Sequence, residues 1–77
     1  MKNNYEIAVF GENIRKLRFR ENLSKQKMAK RLGIGVQSLS LIESGILPKR
    51  LNVCILYRIY QEFNITPSGI FSPIDEE

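Results

Sequence analysis

Only three residues, 33–35 (Gly-Ile-Gly), separate two short segments that both have helical periodicity. The first segment, 25–32, follows Ser24, a residue type that favours a helix N-cap, and its apolar residues recur on one face. The second segment, 36–44, is followed by another glycine. A connection this short keeps two helices in contact, and the small Ala29 on the inner face permits a close crossing. The sequence therefore predicts a helix-turn-helix pair.

Three further segments show the same periodicity and surround this pair. Apolar positions spaced four and three residues apart predict a first helix over about 5–21 and a fourth over about 52–63. Thr66 followed by proline predicts the cap and first position of a short fifth helix, over about 67–71. Asparagine after the first and fourth helices is typical of a left-handed stop.

The absence of strand patterns, repeats and linkers predicts an all-α, compact five-helix domain. We expect one domain over 1–77, with a core over about 10–71 and a loose tail over 72–77. Cys54 is expected to pack in the core, and Tyr57 and Tyr60 are expected at the core and its rim.

The amino-acid composition argues against several classes of function. The chain has one cysteine and no histidine, which excludes an intramolecular disulfide and the commonest metal ligand and acid-base catalyst. Glycine-rich phosphate loops and convergent carboxylates are also missing. We therefore expect no enzyme, no metal and no cofactor. No apolar run is long enough for a membrane span or a leader peptide, so a cytoplasmic protein without membrane association is expected.

The positive charge is concentrated in the middle of the chain. Residues 15–50 carry ten Lys and Arg against two Glu, while 1–14 and 51–77 are weakly acidic, and the whole chain has a net charge of +4. Such a basic centre suits a polyanionic partner. A merely solvated basic surface is an equally good interpretation of the charge alone.

Several stretches in order resemble the Cro/phage-repressor (Xre-like) helix-turn-helix family. They are "FGENIRKLR", "LSKQKMAKRLGIG", "VQSLSLIESG" and "FNITPSGIF", which together cover about 10–71. The resemblance implies a lambda-repressor-like fold and a sequence-specific regulator of transcription that binds double-stranded DNA, with helix 36–44 in the major groove. It also implies a homodimer, at least on DNA.

The resemblance assigns roles to particular residues. With Leu39 and Ile42 inward, the outward and flanking positions of the third helix are expected to contact bases: Val36, Gln37, Ser38 and Leu41. Phosphate contacts are expected from Arg18, Lys25, Gln26, Ser40, Ser44, Lys49 and Arg50, with Arg15 as a further candidate. Arg18 also matches a family arginine that pairs with the residue at Glu43, and a purely structural role for this pair is equally compatible.

Departures from the family pattern leave an alternative open. Lys25 stands where the family usually has glutamine, although a lysine can still meet a phosphate as a point charge. Leu41 lies where a polar base reader is expected, so the chain could instead be a protein-interaction module or an antitoxin-like partner protein with weak or lost DNA reading. An apolar stripe on the fourth or fifth helix, including Ile70 and Phe71, is a candidate dimer contact.

Overall fold

A computed structural model describes residues 5–46 and 53–72, apart from the side chains of residues 5 and 6. It contains five helices and no strand within those ranges. They are α1 (Tyr5–Arg20), α2 (Lys25–Leu32), α3 (Val36–Glu43), α4 (Val53–Phe63) and α5 (Pro67–Ile70). The predicted all-α fold is confirmed. Lys49, Arg50, the predicted helix start at 52 and the residues 73–77 lie outside the described ranges.

The helix ends form as local sequence chemistry predicts. Asn22 and Asn64 follow α1 and α4 at φ 60° and 59°, the left-handed conformation that lets the chain leave a helix. At the N-terminal ends, the Ser24 hydroxyl accepts a hydrogen bond from the Lys27 N–H at 3.2 Å. The Thr66 hydroxyl accepts one from the Gly69 N–H, also at 3.2 Å. Pro67 occupies the first turn of α5, where its missing N–H costs nothing.

One apolar core joins the described helices. α1 packs on α3, α2 packs on α3 and α4, and α5 closes the assembly against α1 and α4. The fully buried side chains come from every helix: Phe10, Ile14, Leu17, Met28, Ala29, Leu32, Leu39, Ile42, Ile55, Ile59 and Ile70. α3 is therefore held by α1 on one side and by α2 on the other.

Gly11 sets the distance between α1 and α3. A Cβ built at Gly11 would overlap the backbone carbonyl oxygen of Ile42 and lie 3.5 Å from the Cα of Glu43. Because a backbone atom cannot be turned aside like a flexible side chain, only glycine permits this approach. The sequence patterns did not single out Gly11.

Asn13 anchors the chain after α5 to the middle of α1. Its side chain is buried, and the amide nitrogen donates to the carbonyl oxygens of Ile70 at 2.6 Å and Ser72 at 2.7 Å. A buried amide without such partners would be costly. Asn13 therefore fixes the last helix against the first, and sequence reasoning missed this role as well.

Three expectations about apolar residues are wrong. Cys54, Tyr57 and Tyr60 are exposed, because the inward face of α4 is formed by Ile55 and Ile59 and the two tyrosines project elsewhere.

The structure also contradicts the expectation that Ile70 and Phe71 belong to an exposed dimer contact. Ile70 is fully buried, and Phe71 stacks on Phe10 with ring centroids 5.1 Å apart. Both side chains therefore belong to the core packing, not to an exposed stripe.

Candidate nucleic-acid interface

A tight turn fixes α3 relative to α2. Gly33 adopts φ 75°, its N–H donates to the Lys30 carbonyl at 3.1 Å, and the Ile34 N–H donates to the Ala29 carbonyl at 2.9 Å. This pair of bonds closes α2 and starts the chain toward α3. Gly35 then occupies the N-cap of α3 in an extended conformation, with no side-chain cap among the described residues.

α3 has a buried face and an uncharged outer face. Leu39 and Ile42 are buried, as the periodicity predicted. The residues predicted to contact bases lie on the other sides: Val36 is 39% exposed, Leu41 is 41% exposed, Gln37 is exposed and Ser38 is half-buried. This outer face offers one amide, hydroxyl groups and two apolar side chains, the types of group that can contact base edges and thymine methyl groups.

A nearly buried ion pair holds the C-terminal end of α3 to α1. Arg18 Nε donates to Glu43 Oε2 at 2.8 Å and Arg18 Nη2 donates to Glu43 Oε1 at 3.0 Å, a bidentate arrangement. The two side chains are only 11% and 6% exposed. Arg18 Nη1 also lies 3.5 Å from the carbonyl oxygen of Leu23, a weak contact at the start of α2. The pair thus ties α1, α3 and the start of α2 together.

α2 supplies exposed cations beside α3. Lys25, the first residue of α2, donates from Nζ to the Ser40 hydroxyl on α3 at 3.3 Å. Lys27, Lys30 and Arg31 are exposed along the same helix. Arg31 Nη1 lies 3.8 Å from a carboxylate oxygen of Glu62 on α4, with both side chains well exposed, so this pair contributes little to stability.

The remaining predicted phosphate contacts have differing surroundings. Gln26 is exposed in the first turn of α2, Ser40 is half-buried against Lys25, and Ser44 is exposed at the C-cap of α3. Arg15 is half exposed, and its Nη1 lies 3.7 Å from Glu12 on the same helix. The structure therefore brings Lys25 and Ser40 together.

Phe19 supports two arginines of α1, a contact that the sequence analysis missed. The guanidinium carbons of Arg18 and Arg15 lie 4.6 Å and 5.6 Å from the centre of its ring. Both distances are within the range of a cation–π interaction. Phe19 is 60% exposed, so its role is to cover the arginines and not to fill the core. The signal in the sequence was an apolar residue beside Arg18 on the polar side of α1.

Leu41 has a structural neighbour at the end of α3. The Ile46 N–H donates to the Leu41 carbonyl at 2.9 Å, and the Gly45 N–H donates to the Ile42 carbonyl at 3.0 Å, with Gly45 at φ 85°. This hydrogen-bond pattern usually brings the two flanking side chains into apolar contact. Leu41 and Ile46 are 41% and 52% exposed, so two exposed apolar side chains lie at and just after the C-terminal end of α3.

A cleft of about 410 Å³ separates the start of α3 from α4. Its walls include Gly35 and Ser38 on one side, and Cys54 and Arg58 on the other. Arg58 Nη1 donates to the carbonyl oxygen of Arg31 at 2.9 Å and so satisfies one of the free carbonyls near the end of α2. The first half of α4 therefore lies across this cleft from the start of α3.

The described residues contain no group of three or more Cys, Asp or Glu arranged to hold a metal ion. In residues 5–46 and 53–72, no helix is long and apolar enough to cross a membrane.

Comparison with known protein families agrees with this geometry. A family model described as a helix-turn-helix domain matches residues 11–76, which is most of the chain. The chain belongs to the helix-turn-helix domain family. In such domains the second helix of the motif typically enters the major groove of DNA while the first crosses the backbone. No curated protein and no solved structure matches the chain significantly.

Proposed function

We propose that this helix-turn-helix protein is a sequence-specific regulator of transcription of the Cro/repressor type, with α3 in the major groove of double-stranded DNA. The observation that carries the proposal is the outer face of α3. This face is exposed, free of charged residues, anchored by the buried Arg18–Glu43 pair, and bordered by Lys25 through its bond to Ser40.

In this proposal α2 and α3 have different roles in DNA recognition. Phosphate contacts position a protein on DNA, whereas contacts in the groove read the sequence. Gln37 reads adenine through its amide, Ser38 donates to a base edge, and Val36 and Leu41 contact thymine methyl groups. We therefore expect sites rich in A·T pairs at the contacted positions.

Phosphate contacts come from the residues around α3. Lys25 is the central one, since its ammonium group already lies beside Ser40. Gln26, Ser40, Ser44, Lys49 and Arg50 are assigned to the same task, with Arg15 as an addition. For Arg18 the larger role is to hold α3, because its Nε and Nη2 are engaged by Glu43 and about a tenth of its side chain is exposed.

Selection of bound sequences from random duplex DNA with the full chain tests the proposal most directly. We expect an enriched motif with two half-sites about 34 Å apart, as for a homodimer on a pseudo-palindrome. Binding should weaken with salt, with each neutralised phosphate adding about −0.9 to the slope of log affinity against log salt. No binding to duplex DNA at low salt would refute the proposal.

The exposed apolar residues at α3 motivate a second candidate function. Val36, Leu41 and Ile46 are each more than a third exposed, and such a surface also suits a protein partner. In this alternative the chain is an interaction module or an antitoxin-like protein, and Leu41→Gln abolishes partner capture. If Leu41→Gln instead leaves DNA selection intact with a changed base preference, the first function holds.

A further inference from the structure

Phe19 is an exposed aromatic residue at the basic C-terminal end of α1. Its sequence neighbours are Arg18 and Arg20, and 60% of its surface is exposed. Burial in the core therefore does not explain why a large apolar side chain stands at this position. The ring lies beside guanidinium groups instead, with its centre 4.6 Å from the Cζ atom of Arg18 and 5.6 Å from that of Arg15.

The two arginines beside Phe19 differ in exposure and in their partners. The Arg18 side chain is 11% exposed, and both its Nε and its Nη2 donate to the Glu43 carboxylate. Arg15 lies one turn earlier in α1, is 51% exposed, and has its Nη1 3.7 Å from Glu12, a distance too long for a good hydrogen bond. One aromatic ring therefore borders an arginine that is bonded to α3 and an arginine that faces solvent.

We propose that Phe19 is a positioning residue for DNA reading, because its ring keeps Arg18 bound to Glu43 and away from phosphates. The hydrogen bonds to Glu43 occupy two nitrogens of the guanidinium, and the ring covers another part of the group. There the ring excludes water and adds a favourable cation–π contact. Because charges attract more strongly where water is excluded, the covered ion pair is harder for a competing anion to break.

This protection matters because DNA offers many competing anions, a step that rests on the proposed function. A phosphate binds a guanidinium in much the same way as a carboxylate does. An Arg18 that turned to a phosphate would leave Glu43 without its partner, and the C-terminal end of α3 would lose this bond to α1. Arg15 is exposed and can meet a phosphate without releasing α3. Phe19 therefore gives up one phosphate contact and keeps the reading helix in place.

The first test follows the Arg18 Nε–H by NMR in the full chain without DNA. In Phe19→Ala this hydrogen should exchange with water about tenfold faster than in the wild type, because the ring no longer covers the ion pair. Phe19→Leu keeps an apolar cover without the π-face and should give an intermediate rate. Tyr57→Ala removes an aromatic side chain of nearly equal exposure, 61%, from α4 and should leave the rate unchanged. An unchanged rate in Phe19→Ala, with the fold checked by circular dichroism, would overturn the proposal.

The second test titrates random and selected duplexes at several salt concentrations. In Phe19→Ala the released Arg18 adds a phosphate contact, so the slope of log affinity against log salt on random duplex should steepen by up to about 0.9 for each protomer. The ratio of the affinities for selected and random duplex should fall about threefold.

A background that lacks the ion pair assigns these changes to Arg18. In Arg18→Met combined with Glu43→Leu, adding Phe19→Ala should change neither the slope nor the ratio of affinities. A Phe19→Ala variant that is less stable but has the wild-type slope and ratio would show a structural cover alone and would overturn the proposal. Absence of all DNA binding would overturn the proposed function, and the exchange rate of the Arg18 Nε–H would still decide whether Phe19 holds Arg18 on Glu43.

Discussion

α2 and α3 are alike in length and opposite in surface chemistry. Each has eight residues, and each is followed within two residues by a glycine in the left-handed conformation with the same pair of closing hydrogen bonds. The exposed side of α2 carries three Lys and one Arg, whereas α3 carries no Lys or Arg at all. Two helices joined by a single turn therefore present a cationic surface and a neutral surface side by side.

Under the proposed function, this difference explains how a basic protein can read DNA with a neutral helix. Attraction to phosphates is long-ranged and tolerates variation in position, so its charges can lie on the flanking helix. Reading a base edge requires an accurate approach, so in the proposed function α3 needs firm anchoring more than charge. Gly11 and the Arg18–Glu43 pair supply that anchoring from α1.

The largest effect is expected from Gly11→Ala. The added methyl group overlaps the Ile42 carbonyl, so α1 and α3 must move apart and the core must repack. We expect a loss of more than about 3 kcal/mol in the free energy of unfolding, measured by urea denaturation. Gly35→Ala is the control, because its Cβ meets no described atom within 4 Å and only the N-cap preference, under about 1 kcal/mol, is lost. Equal stability of the two variants would show that the close approach of α1 and α3 does not determine the fold.

Arg18→Met removes one half of the ion pair that fixes α3. The Glu43 carboxylate is then left nearly buried without its guanidinium partner, which we expect to cost about 2–3 kcal/mol of unfolding free energy. Arg20→Met on the same helix is the control, since Arg20 is exposed. Adding Glu43→Leu to Arg18→Met should recover part of the loss. A further loss in this double variant would argue against an uncompensated charge as the cause.

Gln37→Ala tests the neutral surface of α3. The substitution removes an exposed amide without altering charge or core packing, so stability and affinity for random duplex should stay the same. Affinity for the selected sequence should fall by about 1–2 kcal/mol, roughly tenfold, and base preference should relax at one position per half-site. Fluorescence anisotropy against both duplexes measures the two quantities. An equal fall on both duplexes would assign Gln37 to phosphate contact and not to reading.

Lys25→Gln tests the cationic surface of α2 with a smaller expected effect. The change removes one positive charge but keeps a donor near Ser40, so affinity should fall only a few-fold at low salt. The slope of log affinity against log salt should become shallower by about 0.9 for each protomer bound. Lys30→Gln, at another exposed position of α2, should leave the slope nearly unchanged. Equal changes in slope for the two variants would mean that α2 acts as a diffuse positive surface.

Helix content and helix ends were predictable because they depend on local chemistry. The Ser24 and Thr66 caps, the asparagine and glycine stops and the inward residues of α3 all follow from residue type and spacing, and the structure contains each of them. The roles of the predicted contact residues stay predictions, since contact with DNA depends on a second molecule.

Contacts between distant residues were not predictable from periodicity. The requirement for glycine at position 11 depends on how closely α3 approaches α1. The role of Asn13 depends on accepting carbonyl groups more than 55 residues away in the chain. Cys54 and the tyrosines of α4 were misplaced for a related reason. The sequence of an apolar helix shows which residues are candidates for burial. The rotation of the helix about its own axis in the fold decides which of these candidates are buried.

Gly35→Ser would give α3 the side-chain cap that α2 already has. Gly35 is extended at φ −80° and ψ 162°, close to the conformation of Ser24, and its surroundings leave room for a Cβ. A serine oxygen can therefore accept from an N–H of the first turn, which should stabilise the fold by a few tenths of a kcal/mol relative to glycine. Gly35→Ala isolates the hydroxyl, and serine should exceed alanine by about 1 kcal/mol in thermal or urea unfolding. Equal stability of the serine and alanine variants would mean that anchoring by α1, and not the cap, sets the stability of α3.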